Sequence, residues 1–188
     1  MKFDIKKGQI GSKKTDVSTI ALNQHNEIIR PELFDKDTLV LVRKFLALGD
    51  LPNEVGKVSC ITGNQFFARI ILVNLGDLDA ISNKQMFKSF KSVSDLIKQL
   101  NIKSHSICFD QFLCKTKSPH QIGEYFSRAI IDSLYVINSQ KSDKKRAAKT
   151  FINTIFFNGE FHKDLALGIK HGVAIAEGAN LTKDLGNL

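Results

Sequence analysis

Hydrophobic positions along the chain alternate between a period of two and a period near 3.6. Phe3 and Ile5 alternate with Lys2, Asp4 and Lys6, which predicts a short strand with one face toward a core. Gly8 to Lys14 reads as a polar loop, and Val17 to Leu22 as a second strand closed by Asn23-Gln24-His25-Asn26. Asp37 to Leu48 places Leu39, Val42, Phe45 and Leu46 on one side of a helix, with Gly49 as its stop and Leu51-Pro52-Asn53 as a turn. Lys57 to Thr62 and Phe67 to Leu75 form two more strands around a Gly63-Asn64 hairpin connection. Arg69 to Leu75 is almost continuously apolar, which is the pattern of a strand covered on both faces.

The second half repeats this alternation. Met86, Phe90, Val93, Ile97 and Leu100 step by four, three, four and three, so Asn83 to Leu100 is a helix with one apolar stripe. Ser106 to Phe109 is a strand. Ser118 caps a helix that begins at Pro119 and carries Ile122, Phe126, Ile130 and Leu134 on one face. Ser139 to Lys149 is a charged loop, Thr150 to Phe157 a sixth strand, and Phe161 to Lys183 a long final helix. In that helix Gly168, Gly172, Ala176 and Ala179 form a row of small residues. Each interior glycine costs about 1 kcal/mol against alanine, so close packing must compensate. Gly172, in the middle of the row, is expected to reject leucine; for alanine, helix propensity competes with a mild clash. Strands alternating with helices predict an α/β domain, a three-layer mixed β-sheet flanked by helices.

Composition narrows the classes. The 188 residues are 43% hydrophobic and 24% charged, ordinary for a globular domain. No apolar run reaches transmembrane length, and the charged start Met1 to Lys7 has no apolar secretory region, so no membrane or export role is expected. Three cysteines, Cys60, Cys108 and Cys114, form no C-x-x-C pair; they are expected to be reduced thiols of a cytoplasmic protein, at least two of them in the core. The net charge of +8 concentrates at Lys13-Lys14 and at Lys141, Lys144, Lys145, Arg146 and Lys149. These five residues are the candidate nucleic-acid contact, against the plainer alternative of a solvated loop.

Catalytic motifs are missing. No G-x-S-x-G occurs, and Gly56-Lys57 and Gly8-Gln9-Ile10-Gly11 fail the phosphate-loop and dinucleotide patterns. His25, His105, His120, His162 and His171 are never four residues apart, so each is read as packed or solvent-facing. Asp77 and Asp79 follow the buried fourth strand, where α/β sheets bind ligands, though turning the chain explains them equally. No catalytic residue and no metal ligand is assigned.

The last thirty residues carry a resemblance. His171-Gly172-Val173-Ala174-Ile175-Ala176-Glu177-Gly178, followed by Thr182-Lys183-Asp184-Leu185-Gly186-Asn187, resembles the helix and exit segment of leucyl (cytosol) aminopeptidases, which read G-x-A-x-A-x-G and then D-L-x-N. Arg69 to Gly76, the helix from Asn83 and Thr150-Phe151-Ile152 agree with the same family in order. The resemblance implies its amino-terminal domain, macro-domain-like in fold, as residues 1–160, with residues 161–188 a helix leading toward a catalytic domain. It implies a cytoplasmic hydrolase, a homohexamer, with two divalent ions (manganese or zinc) held in that other domain. The family signature Asn-Thr-Asp-Ala-Glu-Gly-Arg is absent: Asn153-Thr154 is followed by Ile155. This chain alone is therefore expected to be inactive. Some bacterial members also bind DNA. The alternatives are a DNA-binding accessory domain and a stand-alone macro-like module for ADP-ribose.

Overall fold

The structure, a computed structural model, describes residues 1–49, 54–135, 151–160 and 162–186. The candidate contact residues Lys141, Lys144, Lys145, Arg146 and Lys149, and the Leu51-Pro52-Asn53 turn, lie outside the described residues. Six strands form one sheet: β1 (Lys2–Lys7), β2 (Thr15–Asn23), β3 (Val58–Thr62), β4 (Phe67–Gly76), β5 (Ser104–Cys108) and β6 (Ile152–Phe157). Four helices accompany them: α1 (Lys36–Leu46), α2 (Asn83–Gln99), α3 (Pro119–Leu134) and α4 (His162–Gly186). The strand order is β1-β6-β5-β2-β4-β3. All neighbours run parallel except the antiparallel pair β3 and β4. The sheet is thus mixed and three-layered, as the alternation predicts.

Local chemistry starts each helix. Asp35 caps α1 by accepting from the Thr38 amide at 2.8 Å. Ser82 and Gln85 close a reciprocal capping box on α2, and Ser118 and Gln121 do the same on α3, with Pro119 at the first position. Gly49 follows α1 at φ +76°, the left-handed conformation that ends a helix. At the β3–β4 hairpin the Asn64 side-chain oxygen accepts from the Phe66 and Phe67 amides.

Two hydrophobic layers sandwich the sheet. On one face Val17, Ile71, Val73, Ile107 and Ile155 meet Met86, Phe90, Val93 and Ile97 of α2, Ile122, Phe126 and Ile130 of α3, and Leu165 and Ile169 of α4. On the other face Ile20, Leu22, Ile61, Ile70, Leu72, Cys108 and Phe156 meet Val42 of α1, with Ile10, Ile28 and Phe34. Residues 70–76 of β4 are buried throughout, as its apolar run requires.

The thiols require a correction. Of the three cysteines only Cys108 is buried; Cys114 is intermediate and Cys60 is exposed. Successive strand residues point to opposite faces. On edge strand β3, Ile61 takes the covered face and Cys60 the open one.

Gly168 and Gly172 of the small-residue row pack on α3 and Ala176 is buried, whereas Ala179, expected to continue the row, is exposed. A Cβ added at Gly168 would lie 2.0 Å from the His120 carbonyl oxygen. One at Gly172 would lie 2.2 Å from Ser127 Oγ and 2.3 Å from the Glu124 carbonyl oxygen. On α3, a Cβ at Gly123 would lie 2.9 Å from the Leu165 carbonyl oxygen. Backbone meets backbone here, and Ser127 Oγ sits 3.0 Å from the Ile169 carbonyl oxygen across the seam. The competition left open for alanine at Gly172 is resolved against alanine, because its single carbon meets backbone that cannot rotate away. Gly172→Leu is expected to cost ~1–3 kcal/mol or more, and Gly172→Ala to destabilise despite its better helix propensity. Chemical-denaturation midpoints measure both, and an unchanged midpoint for Gly172→Leu contradicts the seam.

Candidate functional site

Parallel α/β sheets bind ligands beyond the carboxyl ends of their strands, where successive connections leave in opposite directions. In this sheet β2 leads through α1 toward β4, while β5 leads through α3 toward β6. The crevice position therefore lies between the carboxyl ends of β2 and β5. The surrounding segments are residues 23–33, 77–82, 109–118 and 158–160.

Side chains of this rim cross-link its segments. Gln111 is fully buried; its side-chain oxygen accepts from the Ala21 amide at 3.2 Å, and its amide donates to the Ile29 carbonyl. It thereby ties the segment after β2 to the segment after β5. Asp110, also buried, accepts from the Asn158 amide at 2.9 Å and from the Cys108 thiol at 3.7 Å. Burial, reinforced by the Asp110 charge, pushes the Cys108 thiol up to about 12, so it is a donor and not a nucleophile. Phe109 and Phe112 fill the space beneath, with the Phe112 ring tilted 37° to that of Phe90 at a centroid distance of 5.0 Å.

Asp77 and Asp79, the carboxylates at the end of β4, build the turn. Asp77 accepts from the Asp79 amide at 3.0 Å, and Asp79 faces Lys115, amide at 3.4 Å and ammonium at 3.6 Å. Lys117, buried, donates to the Ile81 carbonyl and to Thr116 Oγ1. Two shallow depressions lie at the rim segments. One of about 440 Å³ is lined by Ile5, Lys7, Phe157, Gly159 and Glu160. The other, about 480 Å³, is lined by Asn26, Glu27, Ile28, Pro31, Arg43 and Leu46. Neither gathers a nucleophile with a base. Among the described residues no three His, Cys, Asp or Glu side chains converge to hold a metal ion.

The histidines divide by burial. His120 and His171, far apart in sequence, meet across the α3–α4 seam with ring nitrogens 2.9 Å apart. His105 is fully buried in mid-sheet. Its Nδ1 lies 2.8 Å from the Asn153 side-chain oxygen and its Nε2 2.8 Å from Thr19 Oγ1. An amide oxygen only accepts, so Nδ1 carries the proton and Nε2 accepts from the Thr19 hydroxyl. The chain thus runs Thr19–His105–Asn153 across β2, β5 and β6. Sequence reasoning missed this network, along with Asp110, Gln111 and Lys117, because it depends on strand register. Ser104-His105-Ser106 within an apolar strand was the available signal.

Burial holds His105 neutral and lowers its pKa to about 4, offset in part by the Asn153 hydrogen bond. The unfolded chain takes up this proton near pH 6.5 and the folded one only near pH 4. Between those values the unfolded state binds more protons, so stability falls as pH drops through this window, by about 3 kcal/mol in all. Urea midpoints measured from pH 7 to pH 4 are expected to show that slope, and His105→Gln to flatten it; a slope unchanged by the substitution contradicts the buried neutral imidazole.

Comparison with known proteins places this architecture. No family model matches the chain. A probable cytosol aminopeptidase of Pseudomonas syringae pv. tomato is 27% identical over 178 residues, covering 93% of this chain and 36% of that protein. The cytosol aminopeptidase of Pseudomonas aeruginosa is 25% identical over 191 residues, covering 100% of this chain and 39% of its own length. The chain thus spans under two-fifths of the length of these curated relatives. Among solved structures, a tomato leucine aminopeptidase mutant superposes with a TM-score of 0.59 at 13% identity, over 94% of this chain and 36% of that one. The Oceanobacillus iheyensis macrodomain with bound MES superposes at 0.60 and 15% identity, over 93% and 92%. The latter two likenesses establish a macro-like fold. Along essentially its whole length the chain is similar in sequence to a part, under two-fifths, of the cytosol aminopeptidases, and its fold is macro-like.

Proposed function

We propose that this chain is the non-catalytic amino-terminal domain of a metal-dependent cytosol aminopeptidase whose longer parent releases amino-terminal residues from peptides. The supporting observation is the alignment of 93–100% of the chain onto 36–39% of the relatives' length. Residues 1–160 form the domain body, and residues 161–188 the helix leading toward the catalytic domain. Two divalent ions, manganese or zinc, belong to that catalytic domain, where they activate water and polarise the scissile carbonyl. The parent is a cytoplasmic homohexamer in this reading. The rim also favours it over an ADP-ribose module, since the Gln111 side chain is tied to Ala21 and Ile29 at the crevice position. Among the described residues, no helix is long and apolar enough to cross a membrane.

The expected outcome for the isolated chain is no turnover of leucine anilide above blank with added manganese or zinc, and no stoichiometric metal by elemental analysis. Turnover that survives a check for contaminating peptidase overturns the assignment.

A DNA contact at Lys141, Lys144, Lys145, Arg146 and Lys149 is a further proposal, supported by five positive charges within nine residues and a net charge of +8. Such binding is expected to be weak, steeply salt-dependent and indifferent to sequence. Charge reversal at Lys144, Lys145 and Arg146 should abolish a low-salt gel shift with duplex DNA and leave the melting temperature nearly unchanged. No shift by the wild-type chain at low ionic strength removes the proposal.

A further inference from the structure

His120 of α3 and His171 of α4, 51 positions apart in the chain, face each other across the seam, with His120 Nε2 2.9 Å from His171 Nδ1. The rings are nearly perpendicular, at 77°, and their centroids are 4.9 Å apart. Both are reachable from solvent: His120 is half-buried and His171 exposed. Backbone contact, and not the side chains alone, fixes their separation. Around His171, a Cβ at Gly168 or Gly172 would lie 2.0 Å from the His120 carbonyl oxygen or 2.3 Å from that of Glu124. The Ser127 hydroxyl adds a bond to the Ile169 carbonyl oxygen at 3.0 Å. The two helices cannot part or slide without losing these contacts, so the imidazoles stand on rigid, pre-positioned elements. The proposed function uses neither ring.

We infer that His120 and His171 form a binding site for a single divalent cation of the zinc, nickel and copper class, which staples α3 to α4. Imidazole is a ligand these ions favour, whereas magnesium and calcium prefer oxygen. Metal–nitrogen bonds of ~2.0–2.1 Å place two imidazole nitrogens ~2.9 Å apart at a right angle and ~3.3 Å apart at the tetrahedral angle. The 2.9 Å separation of the pair lies at the lower end of that range. In a bond between two neutral rings, one of the facing nitrogens carries the proton and the other accepts. For the ion to take the place of that proton, the donating ring shifts it to its outer nitrogen, so that His120 holds a proton on Nδ1 and His171 on Nε2. A neutral pair releases no net proton. Water completes the coordination, since no third His, Cys, Asp or Glu converges there among the described residues. With two protein ligands the ion exchanges readily and is lost on desalting, so the desalted chain carries no stoichiometric metal. The site is separate from the ions of the proposed catalytic domain and does not depend on that reading.

The test titrates the 188-residue chain, desalted from chelator, with Ni²⁺ or Zn²⁺ near neutral pH, and with Mg²⁺ as the control. Calorimetry is expected to show a single ion bound per chain, and His120→Ala or His171→Ala each to weaken it about tenfold or more. His25→Ala and Cys60→Ser, which remove other exposed ligands, are expected to leave it unchanged. Saturation with Zn²⁺ is expected to raise the wild-type melting temperature by about 2 °C or more and to raise that of neither seam variant. Ring-nitrogen NMR of the unsubstituted chain gives a reading that no folding defect can confound: His120 Nε2 and His171 Nδ1 are expected to shift together as Zn²⁺ is added. No saturable binding, or binding that survives both substitutions and shifts other rings instead, overturns the site. Binding lost with His171→Ala and kept with His120→Ala places the ion on α4 alone and overturns the staple. Mg²⁺ binding of equal strength overturns the assignment to imidazole.

Discussion

A sheet whose strands run parallel exposes no face it can leave wet. Its connections run over its own surfaces, and its central strands are apolar on both sides. In this domain that demand is heaviest at β4 and β2, whose residues are buried almost throughout. The two faces meet it differently. Helix α1 and the segments before it cover one, while α2 and α3 cover the other and α4 lies against α3. The tight α3–α4 seam follows from crowding three helices onto one face. Glycines at 123, 168 and 172 let the backbones approach where side chains would hold them apart.

Element identity was legible in the sequence because each element carries its own punctuation. The stripe from Met86 to Ile97, the Ser118-Pro119 start and the Gly63-Asn64 hairpin each state their role locally. The Gly168-Gly172-Ala176 row announced close packing correctly. What it could not state was the partner, since nothing in the row distinguishes a sheet from α3. Cys60 shows the same limit from the other side. An apolar strand context predicted burial, and only the strand's position at the sheet edge, a property of topology, left the thiol exposed.

The polar interior was hidden for a related reason. Thr19, His105 and Asn153 lie on three strands scattered through the chain, and they become neighbours only when β5 sits between β2 and β6. Gln111 and Asp110 likewise acquire meaning only once the ends of β2, β5 and β6 are side by side. These residues tie the segments after β2, β5 and β6 of a macro-like sheet to one another. The domain keeps the architecture while these polar groups are engaged with one another, and resemblance in fold alone carries little information about ligand.

The pairing of β1 with β6 has a consequence in time. Lys2 lies opposite Ile152 and Lys7 opposite Phe157, so the first strand of the chain finds its hydrogen-bonding neighbour only after some 150 residues have been made. At synthesis rates of about 5–20 residues per second, β1 stays unpaired for roughly 8–30 s on the ribosome. Its alternation of Lys2, Asp4, Lys6 and Lys7 with Phe3 and Ile5 gives it charge throughout that interval. Charged residues on a strand discourage pairing with foreign edges. The charges on β1 thus discourage foreign pairing of the nascent chain until β6 arrives.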